Sequence, residues 1–310
     1  MVQQVVILAG GLATRLGKLV RDIPKSLISI NGTPFIIHQL KYLKSQGFTK
    51  IHLCLGHKKE LIMEVLNQND NLGLDISLSF DGDSQLGTGG AIINALEHLE
   101  DEFLVQYGDT YLPIDYKKLV HFYGENKNNN ILTVYKNQNK YDKSNIIFDK
   151  NKIILYDKDS DDERKEYIDY GLSLLKKDTF KEHDYDGFID LSSIYKILIS
   201  KNKLIGFEVY QRFYEIGKIS GIEETEKFLE HNVVREFYIP SLIEKNADSI
   251  EKSKRTMEIR EYPDYSRDLR KIKLEWDEQK KNSQTNRYDL AVAESSIQSL
   301  RESKEKTQAD

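Results

Sequence analysis

Residues 5–8, VVIL, run without a polar break into Ala9-Gly10-Gly11. A run this short and this apolar suits a strand buried on both faces, the situation in a parallel sheet covered by helices on either side. The glycines then free the backbone at the strand's carboxyl end, where the N–H groups of the following turn can cradle an anion. Open α/β sheets bind their ligands along that edge. Thr14 and Arg15 follow in LATRL, and ten residues beyond the arginine stands Pro24-Lys25. A guanidinium suits bidentate phosphate contact and an ammonium is a mobile point charge, so Arg15 and Lys25 read as two cations aimed at one phosphate site. Pro24 fixes the backbone ahead of the lysine. A surface loop with incidental Arg and Lys is the alternative reading of these residues alone. No G-x-x-x-x-G-K-[ST] or G-x-G-x-x-G pattern occurs, which excludes a P-loop and generic dinucleotide binding.

Composition narrows the partners. The 310 residues carry a net charge of −5, which argues against a general nucleic-acid or membrane-surface binder. Any phosphate must therefore meet a local concentration of positive groups. The single cysteine, Cys54, lies in the apolar run IHLCL, so it reads as a buried, inert thiol and no intrachain disulfide is expected. The N-terminus has no basic stretch of the secretory kind, and no apolar stretch reaches the ~20 residues of a membrane span. A cytoplasmic protein is the resulting expectation.

Strand-like and helix-period segments alternate through the first 125 residues: strands at 5–8, 51–55, 75–80 and 102–107, helices opening at Pro34, at 61–66, 89–99 and 114–124. That order predicts an α/β fold, a mostly parallel, Rossmann-like sheet flanked by helices. Residues 126–167 hold three short β-branched or aromatic runs split by Asn, Asp and Lys, which suits antiparallel strands with polar turns. A strand at 167–175, a helix at 190–200 capped by Asp190, a strand at 204–209 and a helix within 215–231 complete a unit over 1–236. Residues 237–310 form a charged, partly helical extension, with fifteen basic and fifteen acidic side chains between 241 and 310. Leu290, Ala293, Ile297 and Leu300 form its one helical stripe, which can dock on the body or pair two copies into a homo-oligomer.

The N-terminal segment LAGGLATRLGKLVRDIPKSLISINGTPFI resembles the signature of the sugar-phosphate nucleotidyltransferases, L-A-G-G-x-G-T-R-L, a spacer, P-K-x-L, then G-x-P-x-I. The likeness continues in family order through DGDSQLGTGGAI (81–92), YGDTYL (107–112), YIDYGLSLL (167–175) and RFYEIG (212–217). LGTGGAI followed by GDTY is most similar to the D-glycero-D-manno-heptose 1-phosphate guanylyltransferase-like branch. The resemblance implies a GT-A-like fold, binding of an NTP and a sugar 1-phosphate, Mg²⁺, and transfer of a nucleotidyl group for surface polysaccharide or glycan precursor synthesis. It implies Arg15 and Lys25 as catalytic cations. It places the nucleotide on Leu8, Ala9, Gly10, Gly11, Thr14, Gly87 and Thr88. The sequence departs from it at Gly82, where relatives often carry Gln or Glu; the flanking acids Asp81 and Asp83 are suited to accept guanine donors, so GTP is favoured. Asp169 and Gly171 fall at its sugar segment, and Asp109 and Glu215 at its metal carboxylates. The alternatives for 169–171 are a core strand bulged at the glycine, and for Asp109 a turn or helix cap.

Two further positions depart from the pattern: Ala13 replaces a usual Gly, and Glu215 a usual Asp. They keep open a non-catalytic sugar-nucleotide sensor or scaffold, beside a cytidylyltransferase acting on a non-sugar phosphate.

Overall fold

The computed structural model describes residues 2–11, 23–82, 85–181 and 187–236. The first half of the chain contributes β1 (Gln4–Leu8), a short hairpin of β2 (Ser29–Ile30) and β3 (Thr33–Pro34), α1 (Phe35–Ser45), β4 (Lys50–Leu55), α2 (Lys59–Gln68), β5 (Asp75–Phe80), α3 (Gly87–Ala95), β6 (Glu102–Tyr107), β7 (Thr110–Tyr111) and α4 (Tyr116–Glu125). The second half adds β8 (Asn130–Lys136), β9 (Ile146–Asp149), β10 (Lys152–Tyr156), β11 (Tyr167–Lys176), α5 (Asp178–Lys181), α6 (Leu191–Ser200), β12 (Leu204–Val209), β13 (Tyr214–Glu215) and α7 (Ile219–Glu236). Pro34 precedes α1 with its φ near −55°, as the sequence predicts. Asp190 caps α6, its carboxylate accepting from the Ser192 N–H. The helix expected over 114–124 is α4, which runs on through Gly124 and ends at Glu125.

Nine strands form one sheet in the order β5-β4-β1-β6-β11-β8-β12-β10-β9. Parallel pairing runs through β5, β4, β1 and β6 and recurs between β8 and β12. The sheet is more mixed than expected. β11 pairs antiparallel with β6 and β8, and β10 antiparallel with β9 and β12. Parallel neighbours need a crossover of a dozen residues or more, and the two residues between β9 and β10 permit only a hairpin. Lys150 and Asn151 close it, both at positive φ.

All five residues of β1 are buried. Val5 and Ile7 face a core built with Ile36, Leu40 and Leu43 of α1 and Leu119 of α4. Val6 and Leu8 face the opposite core, with Ile92 of α3 and Leu191, Ile194 and Leu198 of α6. Helices on both faces thus account for the unbroken aliphatic run. Cys54 is buried in β4, and burial pushes its thiol up to about 12, so it stays protonated and inert. Among the described residues, no helix is long and apolar enough to cross a membrane.

His52, also in β4, is fully buried between the Ser77 hydroxyl (2.8 Å from Nδ1) and the Ser79 hydroxyl (3.0 Å from Nε2). Burial, and then the stacked His98 ring, lower its pKa to about 4. Below about pH 6.5 the unfolded chain takes up a proton that the folded chain refuses, so stability falls by up to about 1.4 kcal/mol per pH unit until the folded pKa is reached. Urea unfolding at pH 7.5 and pH 5.0 is expected to show a larger acid loss for the native chain than for His52→Asn. Equal losses would contradict this assignment.

Candidate active site

The carboxyl ends of β1, β4 and β6 each run into glycine, at Gly10, Gly56 and Gly108. The three turns pack backbone to backbone. A Cβ on Gly56 would lie 2.8 Å from the Gly10 oxygen, and one on Gly108 would lie 2.9 Å from Ala9 Cα. The Ala9 N–H donates to the Cys54 oxygen (2.9 Å) and the Gly108 N–H to the Leu8 oxygen (3.0 Å). These close approaches leave a cavity of about 400 Å³ over the edge of the sheet, within the range of small-molecule sites. Leu8, Ala9, Gly10, Gly11, Gly87 and Thr88 line it, together with Lys25 and Asp109. Motifs up to a hundred residues apart in the chain thus meet in one place. Thr14, Arg15, Ala13 and Asp83 lie outside the described residues.

Lys25 opens a short 3-10 turn, Lys25–Leu27, behind Pro24. Its Nζ donates to Asp109 Oδ2 at 2.8 Å, and both side chains are largely withdrawn from solvent. Asp109 follows β6 and Gly108 in a turn held from below by Gln39 of α1. The buried Gln39 amide nitrogen donates to the Tyr107 and Thr110 oxygens, both at 2.9 Å. The β7–β13 ladder pairs Thr110 with Glu215, and the Ile216 N–H donates to the Asp109 oxygen at 3.0 Å. The two carboxylate-bearing segments therefore run side by side. Burial holds the Glu215 carboxyl above its ordinary range; Lys218, 3.6 Å away, opposes that shift. Among the described residues no group of three or more His, Cys, Asp or Glu side chains is placed to hold a metal ion. Any metal here would complete its shell with oxygens from a ligand or water.

Gly87 has φ +78°, and a Cβ there would lie 2.4 Å from the Ile189 oxygen. That oxygen accepts from the N–H groups of Gly89 (2.8 Å) and Gly90 (3.1 Å), while Thr88 Oγ1 accepts from the Leu191 N–H (2.8 Å). The glycines of LGTGG thus seat the α3 terminus against residues 188–191, which also bring Phe188 and Asp190 to the cavity wall. The sequence predicts only a capping role for Asp190. Sequence reasoning also misses Gln39, whose polar signal sits on an otherwise apolar helix face, and Ser26, a buried hydroxyl on the cavity wall with no hydrogen-bond partner among the described residues.

Asp169 and Gly171 do not line the cavity. Asp169 accepts from the Tyr156 hydroxyl and from the Gly171 N–H, each at 2.9 Å, and burial raises its pKa. Gly171 lies where the β11–β8 register shifts, and a Cβ there would touch the Tyr107 ring at 3.3 Å. Tyr107 in turn lines the cavity, so the 169–171 segment supports its wall from behind.

Residues 4–189 match the family described as Nucleotidyl transferase. The chain belongs to that family. It is a nucleotidyltransferase, and the likeness read from the N-terminal signature holds. The D-glycero-alpha-D-manno-heptose 1-phosphate guanylyltransferase of Campylobacter jejuni is 34% identical over 180 residues, covering 58% of this chain and 78% of that enzyme. The enzyme of the same description from Aneurinibacillus thermoaerophilus is 35% identical over 117 residues, 37% of this chain and 50% of its own length. The crystal structure of HddC from Yersinia pseudotuberculosis complexed with GMP-PN superposes with a TM-score of 0.58 at 27% identity, covering 73% of this chain and 99% of that one. The inositol-1-phosphate CTP transferase of T. maritima, with a TM-score of 0.63 at 19% identity over 74% of this chain and 97% of its own, shares the fold.

Gly87→Ala is expected to lower stability by at least about 2 kcal/mol, because it adds left-handed strain to a backbone clash. For a unit of this size the melting temperature should drop by ~4–8 °C. An unchanged melting temperature in calorimetry would refute this account of the α3 terminus.

Proposed function

We propose that the protein transfers a nucleotidyl group, with GTP favoured, to a sugar 1-phosphate, giving an NDP-sugar and pyrophosphate for surface polysaccharide or glycan precursors. The observation that carries this reading is the Lys25–Asp109 contact on the wall of a nucleotide-sized cavity. A phosphate oxygen of the sugar attacks the α-phosphorus and forms the new P–O bond. The bond from that phosphorus to the bridging oxygen breaks, and pyrophosphate leaves with the electron pair. The nucleophile is already anionic, so no general base is needed and catalysis reduces to positioning and charge neutralisation.

Lys25 would draw the attacking phosphate and the α-phosphate together, and Arg15 would hold the departing pyrophosphate. Asp109 and Glu215, both hard oxygen donors, fit Mg²⁺, which is commonly held by one or two carboxylates with substrate phosphates and water filling its shell. When bound, the ion would neutralise charge on the triphosphate. The glycine turns at 10–11 would let backbone N–H groups approach the phosphates, and Gly87 and Thr88 would frame the base. Asp169 and Gly171 would shape the sugar end through Tyr107. Support for guanine comes from guanylyltransferases among the relatives. A cytoplasmic location fits the absence of a spanning stretch in the sequence, and the 237–310 extension would be a separate element able to pair copies of the chain.

Lys25→Ala and Asp109→Ala should each lower turnover at least ~100-fold while melting as the native chain does, the size of effect typical of a lost charge-stabilising group. Pyrophosphate release with Mg²⁺ and a hexose or heptose 1-phosphate measures it. Near-native rates in the folded variants would overturn the assignment.

A further inference from the structure

Ser26 is the middle residue of the Lys25–Leu27 turn and only 2% exposed. A serine hydroxyl in a helical turn commonly bonds to a backbone oxygen three or four residues back. This one does not. The Pro24 and Lys25 oxygens accept from the Leu27 N–H (2.9 Å) and the Ile28 N–H (3.1 Å), and Ser26 Oγ has no hydrogen-bond partner among the described residues. The turn is also held at its far end. Leu27 belongs to the core that holds Ile36 and Leu40, and the Ile28 oxygen accepts from the Phe35 N–H at 2.9 Å.

A buried hydroxyl without a partner forfeits its hydrogen bonds to water, and native proteins keep few such groups. Gln39 Oε1 is another, but Gln39 does not line the cavity, whereas Ser26 does. The carboxylates on the cavity wall do not supply the missing acceptor. Asp109 accepts from Lys25 and from the Thr110 hydroxyl, Asp190 from the Ser192 N–H, and Asp81 from the Leu86 N–H. The acceptor must then come from a ligand, and the side chain next in the turn says of which kind. With Lys25 drawn to Asp109, the Ser26 oxygen is closed off from water. An anion that takes the ammonium from the carboxylate meets the turn at the adjoining residue.

Resting on the nucleotidyl-transfer reading, we propose that Ser26 is a phosphate-binding residue of this site, its hydroxyl donating to an oxygen of the phosphate that draws Lys25 away from Asp109. The ammonium acts as a point charge, and the hydroxyl adds direction to the same contact.

Calorimetric titration of the full chain and of Ser26→Ala with GTP, inorganic tripolyphosphate and glucose 1-phosphate tests this. At least one of the three should bind the variant roughly 10-fold more weakly, as expected for a hydrogen bond to a charged group. A loss shared by GTP and tripolyphosphate puts the contact on the nucleotide, and a loss confined to glucose 1-phosphate puts it on the acceptor. The melting temperature of the variant should hold or rise, because the substitution removes an unpartnered polar atom. Unchanged affinities for all three would leave the hydroxyl to a water molecule or to packing and overturn the proposal. A fall in melting temperature without a loss of affinity would do the same. Should Ser26→Ala fail to fold, Ser26→Cys, close in size and only a weak donor, carries the same expectation. Weaker tripolyphosphate binding in the variant, with no pyrophosphate released from GTP by the native chain, would refute the nucleotidyl-transfer reading and leave the phosphate contact standing.

Discussion

The burial of β1 on both faces is the constraint from which the ligand edge follows. With α1 and α4 on one side and α3 and α6 on the other, the strand has no free face, and the chain must leave it at the rim. There β1 lies between β4 and β6, so their three carboxyl ends converge. Backbone packing as close as the Gly10–Gly56 and Ala9–Gly108 approaches leaves no room for side chains, and glycine at these turns opens the cavity. The helices that bury the strand also hold the chemistry. Gln39 of α1 fixes the Asp109 turn from one side of the sheet, while α6 carries Asp190 to the cavity from the other.

The Lys25–Asp109 contact resolves an electrostatic problem. A chain of net charge −5 has no global attraction for a polyanion, so the site must concentrate its own field. In the proposed reaction the lysine would turn to a phosphate while the carboxylate accepted a divalent ion. Asp190 is kept away from that exchange by its cap and by Lys158.

Much of this was legible in the sequence because the signals are local. The aliphatic run of β1, the Pro34 and Asp190 starts, and the strands at 75–80, 102–107 and 204–209 depend on near neighbours. The glycine turn at 10–11 was also visible, since few other residues tolerate such approach. What could not be read depends on distant segments. The docking of Gly87, Gly89 and Gly90 on the Ile189 oxygen joins residues a hundred apart, and the antiparallel insertion of β11 beside β6 leaves no trace in either strand's own pattern. Gln39 and Ser26 looked like ordinary polar residues until the fold buried them. For Asp169 the sequence leaves a sugar contact and a bulged core strand open; in the fold its oxygens accept from the Tyr156 hydroxyl and the Gly171 N–H.

The central claim is that a sugar 1-phosphate displaces pyrophosphate from a nucleoside triphosphate in this cavity. Phosphorus-31 NMR of the protein with Mg²⁺, GTP and a set of hexose and heptose 1-phosphates addresses it directly. The account predicts pyrophosphate and a phosphodiester-linked NDP-sugar in equal amounts, formed only when an acceptor phosphate is present. GTP that stays intact while still binding, or that is hydrolysed independently of the acceptor, would contradict it and point to a sensor built on the same fold.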